Sequence, residues 1–404
     1  MPRDPSRRPA LDGLRGLAAV AIVVHHAWQF SGHPEAPLGI WWNQLALGVP
    51  LFFCLSGFLV YAPWARAAVD PTARAPRVGR FYALRAARIL PLYWLTLGAA
   101  VLVLHGTGHW RALEGRRLVD LVLLAQNTSE ATAGMVNPPA WSLAVEVAFY
   151  AVVPLIGLLA LRVARGRAGR LRVGGPWAGW WRVGGGRAGR VRVGGGRVGQ
   201  VVVLAAVAAA GVAWTAWADH PASWPAVRTV LPDVVGLFCV GMIARVLVEG
   251  REVPRRIARA LLVAGAALVW AHGSGTLGVP FDGLLGDLPA AVGFAAICVG
   301  CASSGAPRLL GCRPLAALGT WSFGIYLWHY PLLMGLQVRG LLPREDVWAT
   351  SALVGALAIV LAAASSRLVE QPLLRAARRR LDRPRRGAPA STTRPGTRRI
   401  GLPA

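Results

Sequence analysis

Arg15 and His26 stand eleven residues apart in the run LDGLRGLAAVAIVVHH. In a helix that interval is about three turns, so both side chains return to nearly one face, about 16 Å apart along the axis. A guanidinium holds phosphate and an imidazole accepts a proton. The pair therefore suits an extended thioester donor, with its phosphates at Arg15 and its acyl carbon near His26. Ionisable groups inside an apolar span are costly and read as functional. Each also has a plainer reading: His26, like its neighbour His25, can bond a backbone carbonyl, and Arg15 can anchor a span at the membrane surface.

Further along, WSLAVEVAFY (141–150) puts Trp141 at a membrane interface and Glu146 about one turn inside it. With this helix running inward, Glu146 is expected at the depth of His26, where a carboxylate can orient the imidazole or act as the base itself. A charge pair that only joins two helices is the alternative. Ser142 and Tyr150 in the same run are candidate substrate contacts. FYALRAARILPLYW presents Arg85 and Arg88 on one helix face, an arrangement suited to phosphate. LGTWSFGIYLWHYPLL (318–333) adds Ser322, Tyr326 and His329, with Pro331 just beyond. His329 is the second histidine candidate, behind His26 because no carboxylate is level with it. Ser56 and Gly57, in GVPLFFCLSGFLVY, read as small residues that let helices approach. Glu370, in RLVEQP, is expected to pair with an arginine.

The elements that must position these groups are apolar helices. The chain has 404 residues, 55% of them hydrophobic, and a mean hydropathy of +0.47, too apolar for a soluble surface. Runs long enough to cross a bilayer recur near 11–30, 44–62, 86–105, 142–161, 200–217, 230–248, 257–272, 288–303, 318–337 and 346–367. The expected fold is all-α, a polytopic integral membrane bundle of about ten transmembrane helices. The first run follows a basic start, as a secretory signal does. However, His25 and His26 close it and no small-residue cleavage pattern follows, so an uncleaved span is expected.

A net charge of +26 would point to nucleic acid in a soluble protein, but all 44 basic residues are arginine and they gather between apolar runs and in the tail. They read as topology signals, not as a nucleic-acid surface. Arginine is dense before the first run, around 66–80, in 162–199, in 249–259 and in the tail, while 31–43 and 273–287 have none. The segment 105–141 departs from this alternation. Both termini are then expected in the cytoplasm.

Within 162–199, GRAGRLRVGG recurs as GRAGRVRVGG. This Gly/Arg-rich insert cannot bury a core and is expected to be a disordered cytoplasmic loop within a transmembrane domain of residues 1–374. Residues 375–404 are expected to be a basic, disordered cytoplasmic tail. The five cysteines lie in or beside apolar runs. The Cys298/Cys301 pair has no second pair of ligands near it in sequence, so no metal is assigned.

These motifs, taken in order, resemble the acyltransferase-three family of membrane O-acyltransferases over most of the chain. LDGLRGLAAVAIVVHH carries the family's arginine–glycine and histidine as Arg15, Gly16 and His26, followed by GVPLFFCLSGFL, FYALRAARILPLYW, WSLAVEVAFY, LGTWSFGIYLWHYPLL and RLVEQP. The resemblance implies transfer of an acyl group, often acetyl, from cytoplasmic acyl-CoA to a hydroxyl of a carbohydrate, a lipid-linked glycan or a secondary metabolite. It implies His26 as the key residue, Glu146 in the active-site region, and Arg15, Arg85 and Arg88 for the donor. Pro50 stands where many members have an acidic residue. The expected location is the inner (plasma) membrane and the partners are the donor, the acceptor and membrane lipid. A membrane exporter of an acylated or anionic metabolite, with Arg15 and His26 lining its path, is the competing expectation.

Overall fold

Two glycines on the first helix and one on a distant helix bring their backbones into contact, and the rest of the bundle is arranged around that seam. The computed structural model describes residues 8–32, 39–70, 72–105, 115–129, 131–168, 195–218, 230–277, 286–343 and 345–382. Among them there is no strand. The helices are α1 (Pro9–Phe30), α2 (Gly39–Gln44), α3 (Gly48–Val60), α4 (Ala62–Val69), α5 (Val78–His105), α6 (Arg116–Val122), α7 (Trp141–Ala168), α8 (Gly195–Ala218), α9 (Leu231–Val248), α10 (Arg255–Gly273), α11 (Leu288–Ala302), α12 (Arg313–Val338), α13 (Val347–Ser365) and α14 (Gln371–Asp382).

Seven helical stretches among the described residues are long and apolar enough to cross a membrane. Each of the other three expected spans is occupied by a helix that falls short of that measure. Helix α10 opens on RRIAR, α11 has only 15 residues, and α12 carries Thr320, Ser322, Tyr326 and His329. Proline is tolerated inside α5, α7 and α12 at Pro91, Pro154 and Pro331, as neighbouring helices in a membrane bundle allow.

Helices α1 and α12 run parallel. A methyl group on Gly319 would stand 1.7 Å from the carbonyl oxygen of Asp12, and one on Gly16 would stand 2.7 Å from that of Leu315. A second seam joins α3 to α9, where side chains at Gly57 and Gly241 would strike the carbonyls of Phe238 and Cys54. Such small-residue contacts replace the hydrophobic drive that lipid removes, and Gly57 packs as its sequence suggested.

The Gly/Arg-rich insert falls mostly on residues 169–194, outside the described ones. The expected tail does not begin where composition placed it, because α14 carries the chain in helical form to Asp382 and packs against α5. Arg80 on α5 pairs with Asp382 there. The remaining tail, from residue 383, lies outside the described residues.

The α1–α12 seam generates a stability test. Gly319→Ala should lower the melting temperature of the detergent-solubilised protein, an overpacking cost of about 1–3 kcal/mol. Gly98→Ala on α5, which faces open space, should leave melting unchanged or raise it slightly, as alanine does in helices. Equal melting of the two variants would show that the seam is not as tight as described.

Candidate active site

The register of α1 and α12 determines which side chains meet. Ten residues beyond Gly16 lies His26, and ten beyond Gly319 lies His329; parallel helices at one rise per residue bring the two rings level. Nε2 of His329 lies 3.1 Å from Nδ1 of His26. His329 is fully buried, and its Nδ1 lies 2.5 Å from the carbonyl oxygen of Tyr326. A carbonyl only accepts, so this Nδ1 carries the proton, and in the neutral ring Nε2 is a bare acceptor. His26 Nδ1–H must then donate to it, sharing that proton with the carbonyl of Ile22 at 3.0 Å. The lone pair of His26 is thereby left on Nε2, the atom a general base uses.

His25, the adjacent histidine, has a different environment. Its Nδ1 meets the carbonyl of Trp42 at 3.0 Å and its Nε2 meets Gln29 Nε2 at 3.2 Å. Tyr330 stands edge-on to His26, with ring centres 5.5 Å apart.

One turn towards the start of α12 lies Tyr326. Its hydroxyl donates to the carbonyl of Pro139 at 2.6 Å and, having only one proton, accepts from Ser142 Oγ at 2.7 Å. These bonds tie α12 to the start of α7, which lies inside the protein. The segment before it is held by buried amides: Gln126 donates to the carbonyl of Ala140, Asn127 to that of Trp141, and Asn137 to that of Leu327.

This inset start corrects the expected depth of Glu146. Ser142 is level with Tyr326, and Glu146 lies a turn beyond it, so the carboxylate sits about 10 Å from the histidine pair along the bundle axis. The segment that precedes α7 packs beside its start and against α12 through Gln126, Asn127 and Asn137. Glu146 Oε1 accepts instead from Ser56 Oγ at 2.8 Å and from the hydroxyl of Tyr150. Its charged neighbour is Arg15.

Arg15 is the convergence point of two cavities. One, a narrow cavity of about 40 Å³, runs along Phe52, Ser56, Glu146, Ser142, Ser322 and Tyr326. The other, about 120 Å³, is lined by Arg85, Arg88, Tyr150 and Ile89. Arg15, Ser56, Glu146 and Phe323 line both. Nε of Arg15 is a buried donor without a partner. Arg85 lies over the ring of Tyr150 at 4.9 Å, which fixes its direction by a cation–π contact. Arg88 acts electrostatically on both Arg15 and Glu370.

Of the residues singled out in the sequence, Arg15, Arg85, Arg88, Glu146, Tyr150, Ser142, Ser322 and Tyr326 therefore line one or both of two adjoining cavities. His26 and His329 line neither cavity and stand one turn beyond Tyr326, whose ring centre is 5.5 Å from that of His329. Trp141 packs edge-on to Phe53, with ring centres 6.1 Å apart. Ser56 joins the site through its hydrogen bond to Glu146, although its sequence context spoke only of packing. A hydroxyl in an apolar run was the one signal. No group of three His, Cys, Asp or Glu among the described residues could hold a metal ion.

A family model described as an acyltransferase domain matches residues 8–367. The exopolysaccharide production protein ExoZ of Rhizobium meliloti is 28% identical over 89% of this chain and 96% of its own length. The peptidoglycan O-acetyltransferase OatA of Listeria monocytogenes is 25% identical over 90% of the chain, which spans 55% of that protein. The acyltransferase MdmB of Streptomyces mycarofaciens is 33% identical over 38% of the chain and 40% of its own length. The aligned part thus spans less than half of MdmB and about half of OatA. No solved structure matches the chain. With the arginines, the histidine pair and the intervening cavities all inside the matched region, the chain is a multi-pass membrane protein that belongs to this acyltransferase family.

Proposed function

We propose that the protein moves an acyl group, acetyl or another short chain, from cytoplasmic acyl-CoA to a hydroxyl of a carbohydrate, a lipid-linked glycan or a secondary metabolite. The observation that carries this reading is the pair of adjoining cavities that share Arg15, Ser56, Glu146 and Phe323, one bordered by Arg85 and Arg88 and the other reaching Tyr326, one helical turn from the histidine pair. The donor's diphosphate rests on Arg15, Arg85 and Arg88, and the unpartnered Nε–H of Arg15 is one donor offered to it. The pantetheine arm takes the path between Phe52, Ser142 and Tyr326, where the cavity of about 40 Å³ widens to admit it. The protein lies in the inner membrane with both termini in the cytoplasm, so the donor enters at the arginine end and the acceptor at the other. Relatives whose names specify exopolysaccharide production and peptidoglycan O-acetylation support an envelope glycan as acceptor. The family match favours reaction over export.

In the chemical step, Nε2 of His26 takes the proton of the acceptor hydroxyl as its oxygen attacks the thioester carbonyl carbon. The C–S bond then breaks, and the proton passes from His26 to the departing CoA sulfur. His329 is a positioning residue: by accepting from His26 Nδ1–H it holds the tautomer and supports the imidazolium as it forms. Glu146 is assigned to the donor end, where it offsets the charge of Arg15 and is oriented by Ser56 and Tyr150.

His26→Ala should reduce transfer of label from acetyl-CoA into the glycan and lipid fractions of membranes carrying the protein by about 10²–10⁴-fold, the usual worth of a general base. His329→Phe should reduce kcat by about 10–100-fold with little change in KM for the donor, since only the orientation of the base is lost. Full activity of His26→Ala would end the assignment.

The depth correction makes a separate prediction for Glu146. Glu146→Gln and Arg15→Gln should both raise KM for acetyl-CoA, by about tenfold, more than they lower kcat. A kcat loss in Glu146→Gln matching that of His329→Phe, with KM unchanged, would place the carboxylate in the proton transfer after all.

A further inference from the structure

Beyond the Arg15 chamber, at the end of the bundle where α1 begins, four arginines, Arg8, Arg66, Arg74 and Arg245, and one carboxylate, Asp12, line a wide cleft together with Leu59 and Leu11. In the sequence Arg8, Arg66 and Arg74 read only as topology signals, and Arg245 falls inside an apolar run. Their arrangement is more specific than that role requires. Arg66 and Arg245 converge on the one carboxylate of Glu249, which is 6% exposed, so two guanidiniums share a single buried anion. Arg245 is further fixed over the ring of Phe58 at 5.4 Å and retains a buried Nε–H without a partner. Arg8 and Arg66 both act on Arg245 as like charges. Positive charge crowded into a cleft and only partly offset is the condition under which a polyanion binds.

The cleft adjoins the donor chamber. Leu59 lines both, and Leu11 precedes Arg15 by four residues on α1, about one turn or 6 Å along the axis. Coenzyme A carries its negative charge in two separate parcels, a diphosphate and a 3′-phosphate on the ribose, with the nucleoside between. Two arginine groups in adjoining cavities match that division.

We propose that this cleft receives the 3′-phosphonucleoside end of the donor, with Arg66 and Arg245 on the 3′-phosphate, while the diphosphate occupies Arg15, Arg85 and Arg88. The assignment rests on acyl-CoA being the donor. A phosphate of the same chemistry is also available from an anionic phospholipid headgroup, and the test separates the two sources.

The experiment measures binding of coenzyme A and of 3′-dephospho-CoA to the full-length protein in nanodiscs, made once with phosphatidylcholine alone and once with added phosphatidylglycerol. The wild type should bind coenzyme A about tenfold more tightly than 3′-dephospho-CoA, with the difference shrinking as salt rises. In Arg66→Gln, Arg74→Gln and Arg245→Gln the affinity for coenzyme A should fall towards that for 3′-dephospho-CoA. Arg66→Lys, which keeps the charge, should restore part of the difference. Arg66 and Arg74 are exposed, so these two variants carry the test if Arg245→Gln unfolds. If the wild type prefers coenzyme A and the variants keep that preference, the cleft assignment is wrong and the donor reading stands. If the wild type binds neither nucleotide, the donor reading fails and the assignment with it. If the variants lose only the response to phosphatidylglycerol, the cleft is a lipid site and the proposal is overturned.

Discussion

The parallel contact of α1 with α12 is the constraint on which the site depends. Glycine at 13, 16 and 319 lets backbones touch where a single methyl group would overlap a carbonyl, and because both helices rise at the same rate the register set there persists ten residues further on. That register, not any interaction between the histidines themselves, makes His26 and His329 neighbours. A slip of one residue would rotate His329 by about 100° and leave His26 Nδ1–H with only its own helix carbonyl. Close packing at one end of the seam is thus converted into proton placement at the other.

The second constraint is satisfaction of buried polar groups in a low-dielectric bundle. Amides of Gln126, Asn127 and Asn137 bond the carbonyls at the start of α7 and on α12, groups that water would serve at a membrane surface. They allow α7 to begin inside the protein. As a consequence Ser142 meets Tyr326, and Glu146 is carried down to Arg15. The same interior leaves the Nε atoms of Arg15 and Arg245 without partners. Buried donors of this kind are costly to leave unpaired, which is the physical reason for reading both positions as binding sites.

Much of this was legible in the residues. The all-helical architecture follows from apolar runs of spanning length, and every site residue singled out by type except Trp141 faces the adjoining cavities or the histidine pair. Arg15 and His26 could be placed on one face because both lie on a single helix, where spacing alone decides. What was not legible concerns pairs from different helices. Helical periodicity says nothing about which helix adjoins which, so His329 could not be recognised as the partner of His26. The depth of Glu146 was misjudged for a related reason: a hydropathy window sees an apolar segment but not a polar loop folded into the bundle beside it. Helix α14 was missed because its arginine-rich sequence reads as tail, although its amphipathic face packs on α5.

The separation of charge along the bundle explains why two histidines serve at one end and not a histidine with a carboxylate. A carboxylate fixed beside His26 would be a permanent buried charge, whose cost is repaid only by near-ideal pairing. Here formal charges are collected around Arg15, where the one carboxylate of Glu146 only partly offsets Arg15, Arg85 and Arg88, an excess of positive charge that suits the anions of the proposed donor. The histidine end is held by a backbone carbonyl, a neutral imidazole and a second carbonyl, so it carries no net charge until the acceptor loses its proton. In the proposed reaction the imidazolium forms as negative charge develops on the thioester carbonyl oxygen, and the two opposite charges attract in a medium that screens them weakly. On that proposal the resting bundle avoids the cost of a buried ion pair beside His26 and opposite charges meet there only in the transition state, where their attraction lowers the barrier.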